Sequence, residues 1–116
     1  MTAARQALGA AGEALAASWY EARGYRVADR NWRCREGELD LVLVRRREGL
    51  VVFCEVKTRS SDRFGTGFEA VTRVKQARLR RLASLYLADA TVRPRHLRFD
   101  VASVDGNVVQ VVEDAF

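Results

Sequence analysis

The sequence predicts an α/β domain with the element order α-β-β-β-α-β-β. Apolar and small residues recur every three or four positions over 4–23 and 69–90, which is typical of amphipathic helices. Side chains alternate in character over 38–45, and residues 50–57 are apolar on both faces, as in a half-buried strand followed by a central one. We therefore expect a mixed central sheet, with one helix against each face or both helices against one face.

Shorter signals place the remaining elements. Gly24 stands where a glycine commonly ends a helix, and Asp105-Gly106-Asn107 is a good tight turn between two strands. Residues 58–68 have two glycines, two serines and no periodicity, which predicts a loop long enough to be functional. The strands and their other connections are predicted as strand 25–31, loop 32–37, turn 46–49, linker 91–96, strand 97–104 and strand 108–113.

The same periodicities predict which side chains are buried. The inward stripe of the first helix contains Leu8, Ala11, Gly12, Leu15, Trp19 and Ala22, and that of the second contains Val71, Val74, Leu79, Leu82, Leu85 and Tyr86. In strand 38–45 one face holds Leu39, Leu41 and Leu43, and the other holds Asp40, Val42 and Val44.

Length and composition exclude several classes of protein. A chain of 116 residues forms one domain and can bury a core without disulfides or a structural metal. With 48% hydrophobic and 30% charged residues, it is not a disordered or low-complexity chain. No apolar run approaches the roughly 20 residues that cross a bilayer, and the N-terminal segment lacks the apolar core of a signal peptide. We therefore expect a cytoplasmic protein without a membrane association.

The positive charge is concentrated in the middle of the chain. The net charge is +5, and residues 45–81 alone hold 9 Arg, 2 Lys and 4 acids. This excess predicts a surface that faces a polyanion, although Arg45-Arg46-Arg47 could simply solubilise a turn. The chain uses 18 Arg and only Lys57 and Lys75 as lysines, so each lysine is a candidate for a position that a guanidinium cannot serve.

Two carboxylates interrupt otherwise apolar strands. Asp40 and Glu55 lie in the middle of predicted strands, where an unpaired charge is costly. If the turn pairs Arg45 with Leu50, the same register sets Asp40 opposite Glu55, with Lys57 on the same face as Glu55. Oxygen ligands on a rigid frame suit a hard divalent cation. The alternative is a structural Glu–Lys pair with Asp40 solvated at a strand start.

Three strings extend this pattern: GELDLV (37–42), FCEVKTR (53–59) and KQARL (75–79). Together they resemble the YraN-like family of small bacterial proteins. By its motif that family belongs to the restriction-endonuclease-like PD-(D/E)XK superfamily and is similar to archaeal Holliday-junction resolvases. The resemblance covers nearly the whole chain, from Gly12-Glu13 through 97–104. It implies a restriction-endonuclease-like core and metal-dependent hydrolysis of DNA, including branched or structured DNA.

The resemblance also implies roles for individual residues. Asp40 and Glu55 become ligands of Mg²⁺ or Mn²⁺, with the backbone carbonyl of Val56 as a third. Lys57 positions or activates the attacking water. Glu13 corresponds to a helix-one glutamate that often joins the metal site, although the predicted stripe places it about 140° away, toward solvent. Glu38 matches an acid of the motif. Leu39 replaces the proline common in the superfamily.

Three functions are compatible with these residues. A nuclease would hold backbone phosphates with the basic residues that follow Glu55. A catalytically inactive protein of the same fold would bind DNA or RNA with the same surface, and an interaction protein would present its Arg-rich face to an acidic protein. The mid-strand acids favour the nuclease over the interaction protein. Homodimerisation through Trp32 or strand 108–112 is left open. The predicted nucleic-acid contacts are Arg59, Arg63, Arg73, Lys75, Gln76, Arg78 and Arg81.

Overall fold

The computed structural model describes residues 3–59, 71–91 and 93–116. These residues form two helices and five strands in the predicted order, so the α/β fold class is confirmed. The predicted 58–68 loop falls mostly outside the described residues, as do the first two residues of the predicted second helix. The elements are α1 (Ala3–Glu21), β1 (Arg26–Cys34), β2 (Gly37–Arg45), β3 (Leu50–Arg59), α2 (Arg73–Asp89), β4 (His96–Asp105) and β5 (Val108–Val112).

The five strands make one mixed sheet in the order β1-β2-β3-β4-β5. β3 and β4 are parallel, with α2 in the connection between them, and the other neighbours are antiparallel. The predicted pairing of Arg45 with Leu50 is confirmed. The turn between them is a 3-10 helix, Arg46–Glu48, closed by Gly49 in the left-handed region at φ 63°. β1 continues to Cys34, so the predicted loop at 32–37 is reduced to a tight turn.

One helix covers each face of the sheet, which resolves the choice that the sequence left open. On one face Ala16, Ala17 and Tyr20 of α1 pack on residues that include Leu41 and Val52. On the other face α2 packs on the opposite side chains of the same strands. That second cluster contains Leu79, Leu82, Ala83 and Tyr86 from α2 with Val42, Val51, Phe53 and Phe99 from the sheet. β3 is therefore buried on both sides, as its uninterrupted apolar sequence predicts.

The predicted inward stripe of α1 is confirmed in part: Gly12 is buried, and Leu15 and Trp19 pack against the core cluster. Gly12, Ala16, Ala17 and Tyr20 face the sheet, whereas Leu8 is 46% exposed and Ala11 and Ala22 are exposed. Small residues let the helix approach the sheet closely: a Cβ on Gly12 would overlap the hydroxyl of Thr58 in β3. Apolar size was therefore only a partial guide to the inward face of this helix.

Two further predictions of burial were wrong. Val74 is 72% exposed because it lies about 130° around α2 from the stripe of Leu79, Leu82, Ala83 and Tyr86 that packs on the sheet. Leu39 packs in the α2 cluster, whereas Leu41 packs in the α1 cluster. Paired positions between β2 and β3 begin only at Leu41, so the residues before it are not held to the same alternation.

A buried carboxylate ties the second half of the chain to α1. Asp100 is fully buried and accepts hydrogen bonds from Tyr20 Oη at 2.7 Å, from two nitrogens of Arg98 and from the Asp114 backbone N–H. With donors on both oxygens, the carboxylate is fully satisfied, which offsets the cost of burying its charge. This network is structural and fixes the sheet that carries the site below.

The two proposed interface regions differ in exposure. Trp32 is half-buried and packs edge-on against Tyr86, with ring centroids 5.4 Å apart. β5 is an edge strand whose Val108 and Val112 are exposed. Homodimerisation stays a prediction. Among the described residues, no helix is long and apolar enough to cross a membrane.

Candidate functional site

Asp40 and Glu55 meet where β2 and β3 stop pairing. The register runs from Arg45–Leu50 to Leu41–Cys54, and one further step places Asp40 opposite Glu55. At that step the Val56 N–H donates to Asp40 Oδ2 at 2.8 Å. The side chain of Asp40 thus occupies the place that the backbone of β2 would take in a continued ladder. This bond holds the Asp40 carboxylate against β3, beside Glu55.

The Asp40 carboxyl is hard to ionise beside Glu55. Burial raises the pKa of Asp40 from 3.8 to about 8, together with a hydrogen bond to Glu55 and the negative charges of Glu55 and Glu13. The Val56 N–H acts in the opposite direction, but it does not compensate. Two carboxyl groups this close do not both ionise readily without a cation. The pair therefore holds a proton near neutral pH in the metal-free protein.

Lys75 supplies the positive charge that reaches Glu55. It lies in the first turn of α2, where the Thr72 side chain caps the helix by accepting from the Lys75 N–H at 3.2 Å. Its ammonium forms an ion pair with Glu55 Oε2. The Glu55 side chain is only 11% exposed, so water screens this pair less than a surface pair. Lys75 therefore lies on the side of α2 that faces the sheet.

Glu13 lies nearer the site than its position on the predicted wheel implied. With the stripe set by Gly12, Ala16, Ala17 and Tyr20, Glu13 falls about 35° from its centre. It is half-buried, and its charge contributes to the raised pKa of Asp40. The close approach of Gly12 to Thr58 brings this part of α1 beside the end of β3.

Lys57 shares a face with Glu55 because the two are separated by one residue on β3. It is half-buried, and no described residue forms an ion pair or hydrogen bond with its ammonium. Lys57 is not among the described residues that line the cavity at the two acids. The ammonium that the structure places on Glu55 is thus that of Lys75, and the role of Lys57 stays a prediction.

An open cavity of about 380 Å³ lies over the two acids. Its floor includes Asp40 and Glu55, and its walls come from the β1–β2 turn and from α2. Glu38 is exposed and bonds Arg33 at 2.9 Å, so it lies at the rim with a partner of its own. The polar side chains of this cavity are Glu36, Glu38, Asp40, Glu55, Lys75 and Arg78.

The donors at this site fit a hard cation that keeps part of its water. Within the described residues, no group of three or more Asp, Glu, His or Cys could hold a metal. Asp40 and Glu55 are two carboxylates, and Mg²⁺ is commonly held by one or two carboxylates together with water and substrate phosphates. Asp40 Oδ2 accepts from the Val56 N–H, and Glu55 Oε2 pairs with Lys75. A cation between the two carboxyl groups would replace the hydrogen bond that they share. The Val56 carbonyl stays a predicted ligand.

The predicted phosphate contacts other than Lys75 lie in different surroundings. Arg73 and Arg78 are exposed on α2, and Arg78 borders the cavity. Arg81 is exposed and lies 3.7 Å from a carboxylate oxygen of Glu36, a weak surface pair. Arg59 ends β3, and Arg63 lies outside the described residues. Gln76 donates to the Val71 carbonyl at 2.8 Å, so its side chain braces the start of α2.

Two residues of the site, Lys75 and Glu36, differ in whether the sequence indicated them. Lys75 was already notable as one of only two lysines, but its pairing with Glu55 depends on how α2 docks on the sheet. Glu36 lines the cavity from the β1–β2 turn, where no periodicity marks it.

Comparison with known proteins assigns the chain to a family. The model of "Uncharacterised protein family UPF0102" matches residues 12–104. A UPF0102 protein of Beutenbergia cavernae is 55% identical over 102 residues, which cover 87% of this chain and 84% of that protein. Relatives from Frankia alni and Mycobacterium tuberculosis are 55% and 50% identical over 87% and 89% of this chain, and over 82% and 80% of their own lengths. The predicted family resemblance is therefore confirmed, and the chain belongs to the uncharacterised protein family UPF0102.

Proposed function

We propose that this protein is a metal-dependent nuclease that hydrolyses phosphodiester bonds in DNA, including branched or structured DNA, in the cytoplasm. The observation that carries the proposal is the facing pair Asp40 and Glu55, held together by the Val56 N–H although burial raises the pKa of Asp40 to about 8. A fold gains no stability from two facing carboxylates. The facing carboxyl groups are explained if a bound cation takes the place of the proton that the pair holds.

Asp40 and Glu55 would hold Mg²⁺ or Mn²⁺, which, when bound, neutralises phosphate charge and favours attack at phosphorus. The protein's own residues prepare the site for that ion. The Val56 N–H fixes one carboxylate, and Lys75 fixes the other through Oε2. Both carboxylates are thereby oriented before a substrate arrives, which lowers the cost of arranging them during the reaction.

Basic residues around the cavity would bind the nucleic acid. Arg78 borders the cavity, and Arg73 lies five residues earlier on the same helix, both exposed. Contacts of this kind hold backbone phosphates and carry no sequence preference. Lys57, on the face of Glu55 and with no described partner, would donate from Nζ to the phosphate at the reacting centre. A compact ammonium suits that position better than a planar guanidinium.

The test is a cleavage assay on linear, nicked and four-way-junction DNA, with Mg²⁺, with Mn²⁺ and with EDTA. We expect cutting that requires the metal and disappears in Glu55→Gln. The matched control is Glu38→Gln, which removes an acid at the rim that already has Arg33 as its partner. This control should cut nearly as well as the wild type.

A wild type that binds these DNAs but never nicks them with either metal would overturn the nuclease. That result would favour the second candidate, a nucleic-acid-binding protein of the same fold. The observation that favours the second candidate is that, within the described residues, no group of three or more Asp, Glu, His or Cys could hold a metal.

A further inference from the structure

A second cavity lies at the opposite end of β3 from the two acids. It measures about 250 Å³ and is formed by the β2–β3 turn, the start of β3 and the segment before β4. Arg26, Arg46 and Arg93 are its charged residues, and Thr91 adds a hydroxyl. Leu50 lines this cavity and is five residues from Glu55, which separates the two sites by about 17 Å along the strand.

The charge of this second cavity is uncompensated. No carboxylate is among the described residues that line it. Arg26, Arg46 and Arg93 are all exposed, and within the described part of the chain none of them forms an ion pair. By contrast Arg45, the neighbour of Arg46, bonds Glu48 at 2.8 Å. Three exposed guanidiniums around one concavity without an acid attract anions, since a cleft lined by one sign of charge concentrates its electric field.

The backbone around this cavity is held in place. The carbonyl of Gly49 accepts from the backbone N–H groups of Arg95 and His96 at 2.8 and 3.1 Å, which pins the segment before β4 to the β2–β3 turn. A side chain on Gly49 would come within 3.0 Å of Arg95 Cγ, and its φ of 63° also favours glycine. The turn that carries Arg46 and the segment that carries Arg93 are thus fixed relative to each other.

We propose that this cavity, between the β2–β3 turn and the segment before β4, is a phosphate-binding site separate from the two acids. Guanidinium groups bind phosphate oxygens through paired, charge-assisted hydrogen bonds. Sites for small organic ligands usually measure about 300–1,000 Å³, so the smaller volume here suits one or two phosphate groups better than a whole nucleoside. The phosphates come either from a free anion or from a nucleic-acid backbone.

The test is a calorimetric titration with inorganic pyrophosphate, in EDTA and at constant ionic strength. We expect saturable binding to the wild type and a dissociation constant at least tenfold higher in the double variant Arg46→Gln/Arg93→Gln. The matched control is Arg47→Gln/Arg95→Gln. It removes the same charge from the same two segments, but neither residue lines the cavity. Its dissociation constant should change less than twofold.

Two results would overturn the proposal: no saturable heat from the wild type, or equal weakening in both double variants. Equal weakening would mean that pyrophosphate binds through the net charge of the protein and not at this cavity. A thermal melt in chloride first checks that both double variants are folded as the wild type is. Because the titration contains EDTA and measures no cleavage, its outcome is independent of whether Asp40 and Glu55 support hydrolysis.

A second titration, with a short single-stranded DNA, identifies the source of the phosphate. If Arg46→Gln/Arg93→Gln weakens both pyrophosphate and DNA relative to the control, the cavity takes a backbone phosphate. If only pyrophosphate is weakened, it takes a free anion. In both cases the cavity is the phosphate site that we propose.

Discussion

Replacing Asp40 by asparagine should stabilise the metal-free protein by an amount that grows with pH. The pKa of Asp40 is raised from 3.8 to about 8, first by burial and then by Glu55. Between these values the folded protein keeps a proton that the unfolded chain releases. Stability from this group is therefore greatest at low pH and is lost as the pH rises through about 8. Asparagine does not titrate, so the Asp40→Asn variant avoids that loss.

The structure sets the size of this effect. Each pH unit over which only the folded state holds the proton lowers the free energy of unfolding by about 1.4 kcal/mol. From pH 5 to pH 8 this loss is therefore at most about 4 kcal/mol. Asp40 keeps some contact with water, and we expect about half of that. The advantage of Asp40→Asn should therefore grow by about 2 kcal/mol between pH 5 and pH 8. For a domain of this length, that corresponds to roughly 8 °C in Tm.

Thermal and urea denaturation at pH 5, 6.5 and 8 in EDTA measure this difference. Glu38→Gln is the control, because it removes a carboxylate of the same strand that is exposed and paired with Arg33. That variant should keep a nearly constant offset from the wild type. An Asp40→Asn variant that is less stable than the wild type at pH 8, or whose advantage does not change with pH, would refute the reasoning.

Three further outcomes are expected. Mn²⁺ should raise the Tm of the wild type by mass action and raise it much less in Asp40→Asn; equal shifts in melting experiments would place the ion elsewhere. Gly12→Ala should lower the free energy of unfolding in urea by about 1–3 kcal/mol, because the added Cβ overlaps Thr58, and Thr58→Ala should recover part of this. Reversing Arg78 and Arg81 to glutamate should weaken binding to unrelated DNA sequences alike. The slope of the logarithm of the binding constant against the logarithm of the salt concentration should fall by about two, and an unchanged slope would exclude phosphate contacts at these residues.

The sheet was predictable because its information is local. A four-residue turn fixed the Arg45–Leu50 register, and that register carried Asp40 to Glu55. The apolar character of β3 on both faces also indicated a central strand, although whether the helices cover one face of the sheet or both was left open. The face of α1 was only partly predictable from apolar size, since Leu15 and Trp19 pack against the core but Ala16, Ala17 and Tyr20 form its buried centre and Leu8 remains exposed. Close backbone packing selects small residues, and counting large ones identifies only part of that face.

The site was predictable only as far as the strands define it. Asp40 and Glu55 were evident because charges interrupt apolar strands. Which lysine reaches Glu55 depends on the docking of α2, a contact between residues 20 positions apart that no periodicity encodes. The position of Glu13 likewise depends on which face of α1 meets the sheet. Long-range packing, rather than any missing motif, therefore separates the predicted site from the observed one.

Single-turnover cleavage of end-labelled four-way-junction DNA in Mn²⁺ tests the central claim most directly. The wild type should cut, Asp40→Asn should not, and Lys57→Arg should bind the DNA within a few-fold of the wild type while cutting at least about a hundredfold more slowly. Such a pattern assigns the chemistry to these residues. A wild type that binds without cutting, or an Asp40→Asn variant that cuts at the wild-type rate, would contradict the account.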